Sequence, residues 1–406
     1  RATGAHLRAS RPCDRGCRPR MEGASGKQRG ASRVTPMHIV HTEASCGWGG
    51  QEIRILTEAE GMLRRGHRVT LLCPGEARIF AEAVERKIPV EALPIGRKRL
   101  QGVLALRRRL RTMPVDVINT HSSTDTWLVA LASLLLERPP PLVRTRHISA
   151  LVPKNRPTRW LYTRATAHIV TTGEKLRLQL VMENGYDPAS ITSVPTGMDT
   201  GHFVPGIRAA RRAQLHLDSN ALVIGIVATL RSWKGHRYLL QAFARLSDRS
   251  ARLLIVGDGP QREALAHEIA ELNLADRVIM AGDQRDVLPW LQAMDIFVLP
   301  SYANEGVPQA IMQAMLCALP VATTPVGSIG EIVKHDFTGL IVKPKDADDL
   351  WQALEKLAAD ASLRNRLGNQ ARQFALAHFG LDPMLDKMEK IFAGAMAETR
   401  TQASRK

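Results

Sequence analysis

The chain has few aromatic residues, 4% of 406. Proteins that bind nucleic-acid strands interleave aromatic rings with cations. The scarcity argues against a nucleic-acid partner even though the chain is basic. Cysteine is sparse too: Cys13, Cys17, Cys46, Cys73 and Cys317 are odd in number and irregular in spacing. That pattern fits neither a disulfide framework nor a zinc site, and leaves reduced thiols in the cytoplasm as the reading. Long apolar runs are missing. The longest, WLVALASLLL (127–136), is about half of the roughly 18–20 residues a membrane helix needs. The opening RATGAHLRASRPCDRGCRPR has arginine and glycine but no apolar centre, so it is no secretory signal. Residues 1–36 are expected to form a disordered basic tail or upstream extension, with an arginine-rich transit peptide as the alternative.

What is present is positive charge, a large apolar fraction and a regular alternation. The formal net charge is +17, which points to an anionic partner such as phosphate or an acidic membrane face. Hydrophobic residues make up 44%, and the length suits two domains better than one core. From MHIVHTEA (37–44) onward, short apolar strands alternate with helical patterns: HRVTLLCP, PVEALPI, VDVINTHSS, PLVRTRH and AHIVTTG are strand-like. After the glycine- and proline-rich PTGMDTGHFVPGIRAARR the alternation restarts at ALVIGIVATL (221–230). This predicts an α/β protein of two Rossmann-like, doubly wound parallel sheets facing across a cleft. The expected divisions are a first domain over 37–205, a second over 206–380, and a last segment, 381–406, whose helix packs back toward the first domain. Ligands of such folds sit at the C-terminal ends of the strands.

The loops at those ends carry the chemistry. NEGVPQAIMQAM (304–315) follows the strand IFVLPS and puts Glu305 and Gly306 before a helix, with Pro308 expected in its first turn. Free N–H groups there favour an anion, and Gly306 lets backbone come close to it. A carboxylate beside that anion site suits neutral hydroxyls, and Gln313 suits a vicinal diol such as ribose. Alone, Glu305 reads equally as a helix-start carboxylate and Gln313 as a buried amide. ATLRSWKGH (228–236) sets Arg231 and Lys234 past another strand, where two cations would hold a diphosphate. VGDGP (256–260), with Gly257, is a glycine-rich strand end, weak by itself. SCGWGGQE (45–52) offers Gly49 and Gly50 as a loop that closes over phosphate or sugar, without the full dinucleotide fingerprint. His121, in NTHSS, ends a strand of the first domain and is as easily structural. Asp346 and Asp348 resemble a metal-binding Asp-x-Asp but precede DLWQALEKL and read as helix-start residues; no metal and no cofactor is expected.

Taken together, DIFVLPSYANEGVPQAIMQAMLCALPVATTPVGSIGEIV (295–333), GWGGQE, RSWKG, VGDGP, PTGMD and TGLIVKP resemble, in order, the motifs of family 4 retaining glycosyltransferases. The resemblance spans residues 37–395 and implies the GT-B fold and transfer of a sugar from a nucleoside-diphosphate sugar to an acceptor hydroxyl, in the making of lipopolysaccharide or another cell-surface glycan. It implies that Glu305 contacts the donor sugar and that Gln313 stands where the family has the ribose-binding Glu. By the same resemblance Lys234 and Arg231 hold the diphosphate, His121 is the cleft histidine, and Gly49 and Gly50 lie next to the transferred phosphate; Gly257, Gly306, Val307 and Val287 are further donor-binding candidates, with the base read near Gly282 to Val287. Gln313 departs from the family pattern, as does Thr229, where the family has its arginine.

GRKRLQGVLALRRRLRTM (96–113) is basic with an apolar stripe. It reads as an ordinary surface helix or as one lying on anionic lipid, which would fit an enzyme attached to the inner face of the cell membrane and acting on a lipid-linked acceptor. Two other functions stay open from sequence alone: a sugar-nucleotide 2-epimerase of the same fold, and a non-catalytic nucleotide-sugar binder.

Overall fold

The computed structural model describes residues 35–303 and 305–403; the expected tail over 1–36 lies almost wholly outside them. Strands β1 (His38–Thr42), β2 (Arg68–Cys73), β3 (Val90–Ala92), β4 (Val117–Thr120), β5 (Leu142–Arg146), β6 (His168–Thr171) and β7 (Ile191–Ser193) form one sheet. Its order is β3-β2-β1-β4-β5-β6-β7. Strands β8 (Val223–Val227), β9 (Arg252–Val256), β10 (Val278–Gly282), β11 (Ile296–Leu299), β12 (Val321–Thr323) and β13 (Gly339–Ile341) form a second, ordered β10-β9-β8-β11-β12-β13. The named strand pairings are all parallel. Most strands are buried along their length, as continuous apolar runs flanked by helices on both faces require.

Each sheet has one switch point, where the order reverses: between β1 and β4 in the first, between β8 and β11 in the second. Loops diverge there and leave a crevice at the strand ends. His41 on β1 and His121 just after β4 flank the first crevice; Lys234 after β8 and Glu305 after β11 flank the second.

The chain passes between the lobes twice, side by side. Met198 N donates to Phe379 O at 2.7 Å, and a Cβ on Gly197 would fall 2.7 Å from Leu381 Cα. Helix Leu381–Ala403 then lies on helix Gly50–Arg64 of the first lobe. Its Met384, Leu385, Met388 and Phe392 are buried in the first lobe's core. Arg65 bonds Asp382 at 3.0 Å and Asp386 at 2.7 Å along the same seam.

Two local readings are revised, and one stretch that had none gains a helix. Pro308 is the residue before helix Gln309–Leu316, with extended backbone, not in its first turn. The linker-like PTGMDTGHFVPGIRAARR ends in a helix, Arg208–Gln214, because Arg212 buries its guanidinium on Asp295 and on the Ala293 carbonyl. A helix, Ala361–His378, fills a stretch with no strong apolar pattern.

Candidate active site

In the second lobe, Gly235 makes the site. Its φ of +79° is left-handed, and a Cβ would stand 2.1 Å from Pro300 O. Only glycine lets the β8 loop lie directly on the β11 loop there. Trp233 O accepts from Tyr302 N at 2.8 Å, tying the two together. Lys234 Nζ thereby reaches Glu305 Oε1 at 2.6 Å, and Ser301 Oγ donates to the same oxygen at 2.7 Å. Glu305 is buried and Lys234 half-buried. The two residues assigned separately to diphosphate and sugar thus hold each other, as opposite charges sharing a crevice of low polarity do.

The other assigned residues are spread around this pair. Arg231 is exposed, its guanidinium 5.2 Å from the ring centroid of Trp233; its carbonyl accepts from Lys234 N at 3.0 Å, and its side chain bonds neither Lys234 nor Glu305. Burial holds the carboxyl of Glu52, in the first lobe, above its usual range, against the lowering pull of its hydrogen bonds and, least, of the Arg231 charge. Gly257 follows β9 and donates to Gly282 O at 2.8 Å. Val287 precedes helix Leu288–Ala293, and Val307 is buried in the second core. Gln313 is half-buried on helix Gln309–Leu316, and among the described residues its side chain has no hydrogen-bond partner. Asp346 caps helix Ala347–Ala359 through Asp349 N at 2.9 Å, and Asp348 faces Arg245, as helix-start residues should. Among the described residues no three His, Cys, Asp or Glu side chains are grouped as metal ligands.

In the first lobe Gly49 precedes helix Gly50–Arg64, and Gly50 O accepts from Gln309 Nε2 of the second lobe. His121 is held from behind: Asp125 Oδ2 accepts from His121 N at 2.9 Å and from Thr42 Oγ1 at 2.7 Å. His121 does not present a free ring to the cleft. Its Nε2 bonds His41 Nδ1 and its Nδ1 bonds His147 Nε2, each at 3.0 Å, in a row of three stacked or tilted rings. Burial drives all three imidazoles below the usual pKa, His41 to about 3; Arg54 adds to this at each, and His41 and His147 add at His121. They are neutral at physiological pH. Beside them Glu43 accepts from Ser45 N at 2.7 Å and from Gln51, and burial, then Asp125, raises its carboxyl well above the normal range.

The lobes meet over this ground. A Cβ on Gly306 would sit 2.3 Å from His147 O, so the turn carrying Glu305 rests on the first lobe's backbone without a side chain between. Glu331 of the second lobe caps helix Glu174–Asn184 of the first, accepting from Glu174 N and Lys175 N at 2.7 Å each. Arg78 pairs with Asp283, and Arg285 with Glu85. His41, His147, Glu43, Gln309 and Glu331 were not singled out from sequence. The signal for the histidines was there: HIVHTEA, NTHSS and VRTRH each end a strand with histidine.

Two doubly wound parallel lobes, joined so that their switch points face one cleft, define the GT-B class. Residues 48–202 match the model of Glycosyltransferase Family 4 and residues 207–374 that of Glycosyl transferases group 1. A relative in Escherichia coli, UDP-Gal:alpha-D-GlcNAc-diphosphoundecaprenol alpha-1,3-galactosyltransferase, is 26% identical over 310 residues, covering 73% of this chain and 79% of its own. Among solved structures, a glycosyltransferase from Rickettsia africae superposes with a TM-score of 0.80 at 20% identity, over 89% of this chain and 99% of its own. Anabaena Alr3699/HepE in complex with UDP and glucose gives 0.78 at 20% identity, over 88% and 100%. The chain belongs to the family 4 glycosyltransferases; it is an enzyme of the retaining type.

Proposed function

We propose that the donor is a nucleoside-diphosphate sugar bound mainly by the second lobe, and that the acceptor is a lipid-linked glycan presented to the first. The observation that carries this is the Lys234–Glu305 pair at the β8/β11 switch point, 2.6 Å apart and facing the first lobe. An arriving diphosphate offers Lys234 two negative groups in place of one, and releases Glu305 to accept from sugar hydroxyls. Arg231 and the open N–H groups of the first turn of helix Gln309–Leu316 complete the diphosphate's surroundings. Gln313, with no partner of its own, is free to bond ribose hydroxyls. A uridine donor is supported by the UDP named with the E. coli and Anabaena proteins.

In the reaction the bond between the anomeric carbon and the β-phosphate oxygen breaks, and its electron pair goes to that oxygen. The acceptor oxygen bonds the carbon from the same face, and its proton passes to the departing phosphate. No residue of the chain forms a bond to the sugar. The work assigned to the chain is stabilising charge on the leaving group, which is worth a few kcal/mol per donor in comparable sites.

Attachment at the inner face of a membrane is part of the proposal. No helix among the described residues is long and apolar enough to cross one. Helix Leu100–Thr112 exposes Leu100 and Leu104 beside Arg108 and Arg111. Arg107 bonds Leu135 O at the end of helix Ser123–Ser133, whose Leu131 is exposed, as are Leu134 and Leu135 just beyond it. Leucines ringed by arginines fit the boundary of an anionic bilayer. The E. coli relative's named acceptor is a diphosphoundecaprenol.

The test is a panel of nucleotide sugars with nucleoside-diphosphate release measured, with and without polyprenyl-diphosphate sugar and lipid A-core acceptors. Acceptor-dependent release and a product of retained configuration are expected. Donor consumption that yields free sugar or an epimer without acceptor would overturn the transfer reading, and tight donor binding without turnover would mark a binder.

A further inference from the structure

The histidine row has an inner end and an outer end. At the inner end His41 is fully buried and its Nε2 has no hydrogen-bond partner among the described residues. At the outer end His147 is half-buried at the cleft, with Nε2 bonded to His121. Its Nδ1 has no partner among the described residues, and its carbonyl lies under Gly306, next to Glu305.

A neutral imidazole donates from one nitrogen and accepts at the other, so one end of such a row decides the rest. If His41 carried its proton on Nε2, a buried N–H would go without a bond, which is disfavoured by about ten-fold or more. It would also lie in the field of the Arg54 guanidinium, a cation close enough to act on His41. Arg54 pairs with Glu58, its Nε 3.7 Å from Glu58 Oε2, yet Nε and Nη2 are buried without a hydrogen bond among the described residues. A lone pair at His41 Nε2 suits that surrounding; another N–H does not. The proton is then on His41 Nδ1 and is donated to His121 Nε2. His121 has to carry its own proton on Nδ1 and donate it to His147 Nε2, and the unshared N–H emerges at His147 Nδ1.

We infer that the row runs one way, from His41 through His121 to His147, and that His147 Nδ1–H is the donor that meets a hydroxyl of the transferred sugar. His41 and His121 are positioning residues, which act by fixing the tautomer and tilt of His147. Both ring nitrogens of His121 are already spent inside the row. The sugar contact rests on the preceding reading that the cleft at Glu305 holds the donor sugar; the direction of the row does not.

Two measurements on the full chain test this. The first is two-bond 1H–15N correlation of histidine-labelled protein at neutral pH, without substrate. His41, His121 and His147 should all report protonated Nδ1 and bare Nε2; any one of them protonated on Nε2 overturns the direction. The second is steady-state transfer with the donor that the nucleotide-sugar panel selects. His147→Leu should lower kcat/KM for the donor about ten-fold, while His147→Asn, whose amide N–H falls near Nδ1, should recover most of it. His41→Asn should behave like the wild type and His41→Leu like His147→Leu. If His41→Leu fits its apolar surroundings and leaves kcat/KM unchanged, the row only fills space and the positioning role is wrong. Absence of turnover with every donor would overturn the sugar contact and leave the direction of the row to the tautomer measurement.

Discussion

At the scale of single residues, the pair at the second switch point sets the expectations for activity. Lys234→Ala should lower kcat by about 10²–10³, the usual effect of removing one donor from such a charge-stabilising site, and Glu305→Ala, which removes the acceptor for the sugar hydroxyls, should lose most turnover. A wild-type rate for Lys234→Ala would refute the diphosphate assignment. Gln313→Glu should keep or raise activity, because a carboxylate accepts from both ribose hydroxyls; weaker donor binding in that variant would mean Gln313 is not at the ribose. A different single residue adds, beside the histidine row, to the cost of acid. His236 is buried with both ring nitrogens unpartnered among the described residues, and burial, then Lys234, lowers its pKa to about 3. The unfolded chain takes up a proton there below about pH 6.5, and the folded one refuses it. His236 therefore costs stability progressively as pH falls toward 3, by about 1.4 kcal/mol per pH unit. Buried carboxyls with raised pKa, such as Glu58, pull the opposite way as pH rises. His236→Phe isolates the histidine's share: its denaturation midpoint should gain on the wild type between pH 6 and 4, and parallel curves would refute the assignment. Glu305 and Lys234 were legible in the sequence because each sits on a short motif next to its own strand. The joining of His41, His121 and His147 was not, because it depends on β1, β4 and β5 lying side by side, which motif spacing does not state.

At the scale of elements, the strands were legible because a continuous apolar run set between two helical patterns suits little except a buried parallel strand. Helix Ala361–His378 escaped because its buried stripe is Leu363, Leu367, Ala371 and Ala375, four apart and half of it alanine, too narrow and too weak to register. The cap that Glu331 gives to helix Glu174–Asn184 was invisible for a different reason: its partners stand 157 and 156 residues away. Glu331→Ala should lower stability by about 1 kcal/mol, the usual cost of a lost N-cap acceptor, in chemical denaturation. Helix Leu381–Ala403 matters more. Phe392 is fully buried in the first lobe's core, and Phe392→Ala should lower stability by about 3–5 kcal/mol. A loss below about 1 kcal/mol, far under the usual cost of such a truncation, would mean the helix is not held there in solution.

At the scale of the whole molecule, a net charge of +17 and the leucine–arginine face of the first lobe predict binding to anionic vesicles. The protein should float with phosphatidylglycerol-containing vesicles at low salt and be released as salt rises, since screening shortens the reach of surface charge to about 10 Å at 0.1 M. Arg108→Glu with Arg111→Glu should weaken flotation without altering transfer to a water-soluble acceptor. No flotation at low salt would remove the membrane from the proposal.

The place of the last helix also bears on the order of assembly. The second lobe's core is drawn from one unbroken stretch, Met198 to Phe379, and can close without any residue from outside it. The first lobe's core is discontinuous: it takes Met384, Leu385, Met388 and Phe392 from beyond the second lobe's stretch and cannot close without them. Without them its core is left with an open apolar side, so of the two lobes the one earlier in the chain is completed after the later one.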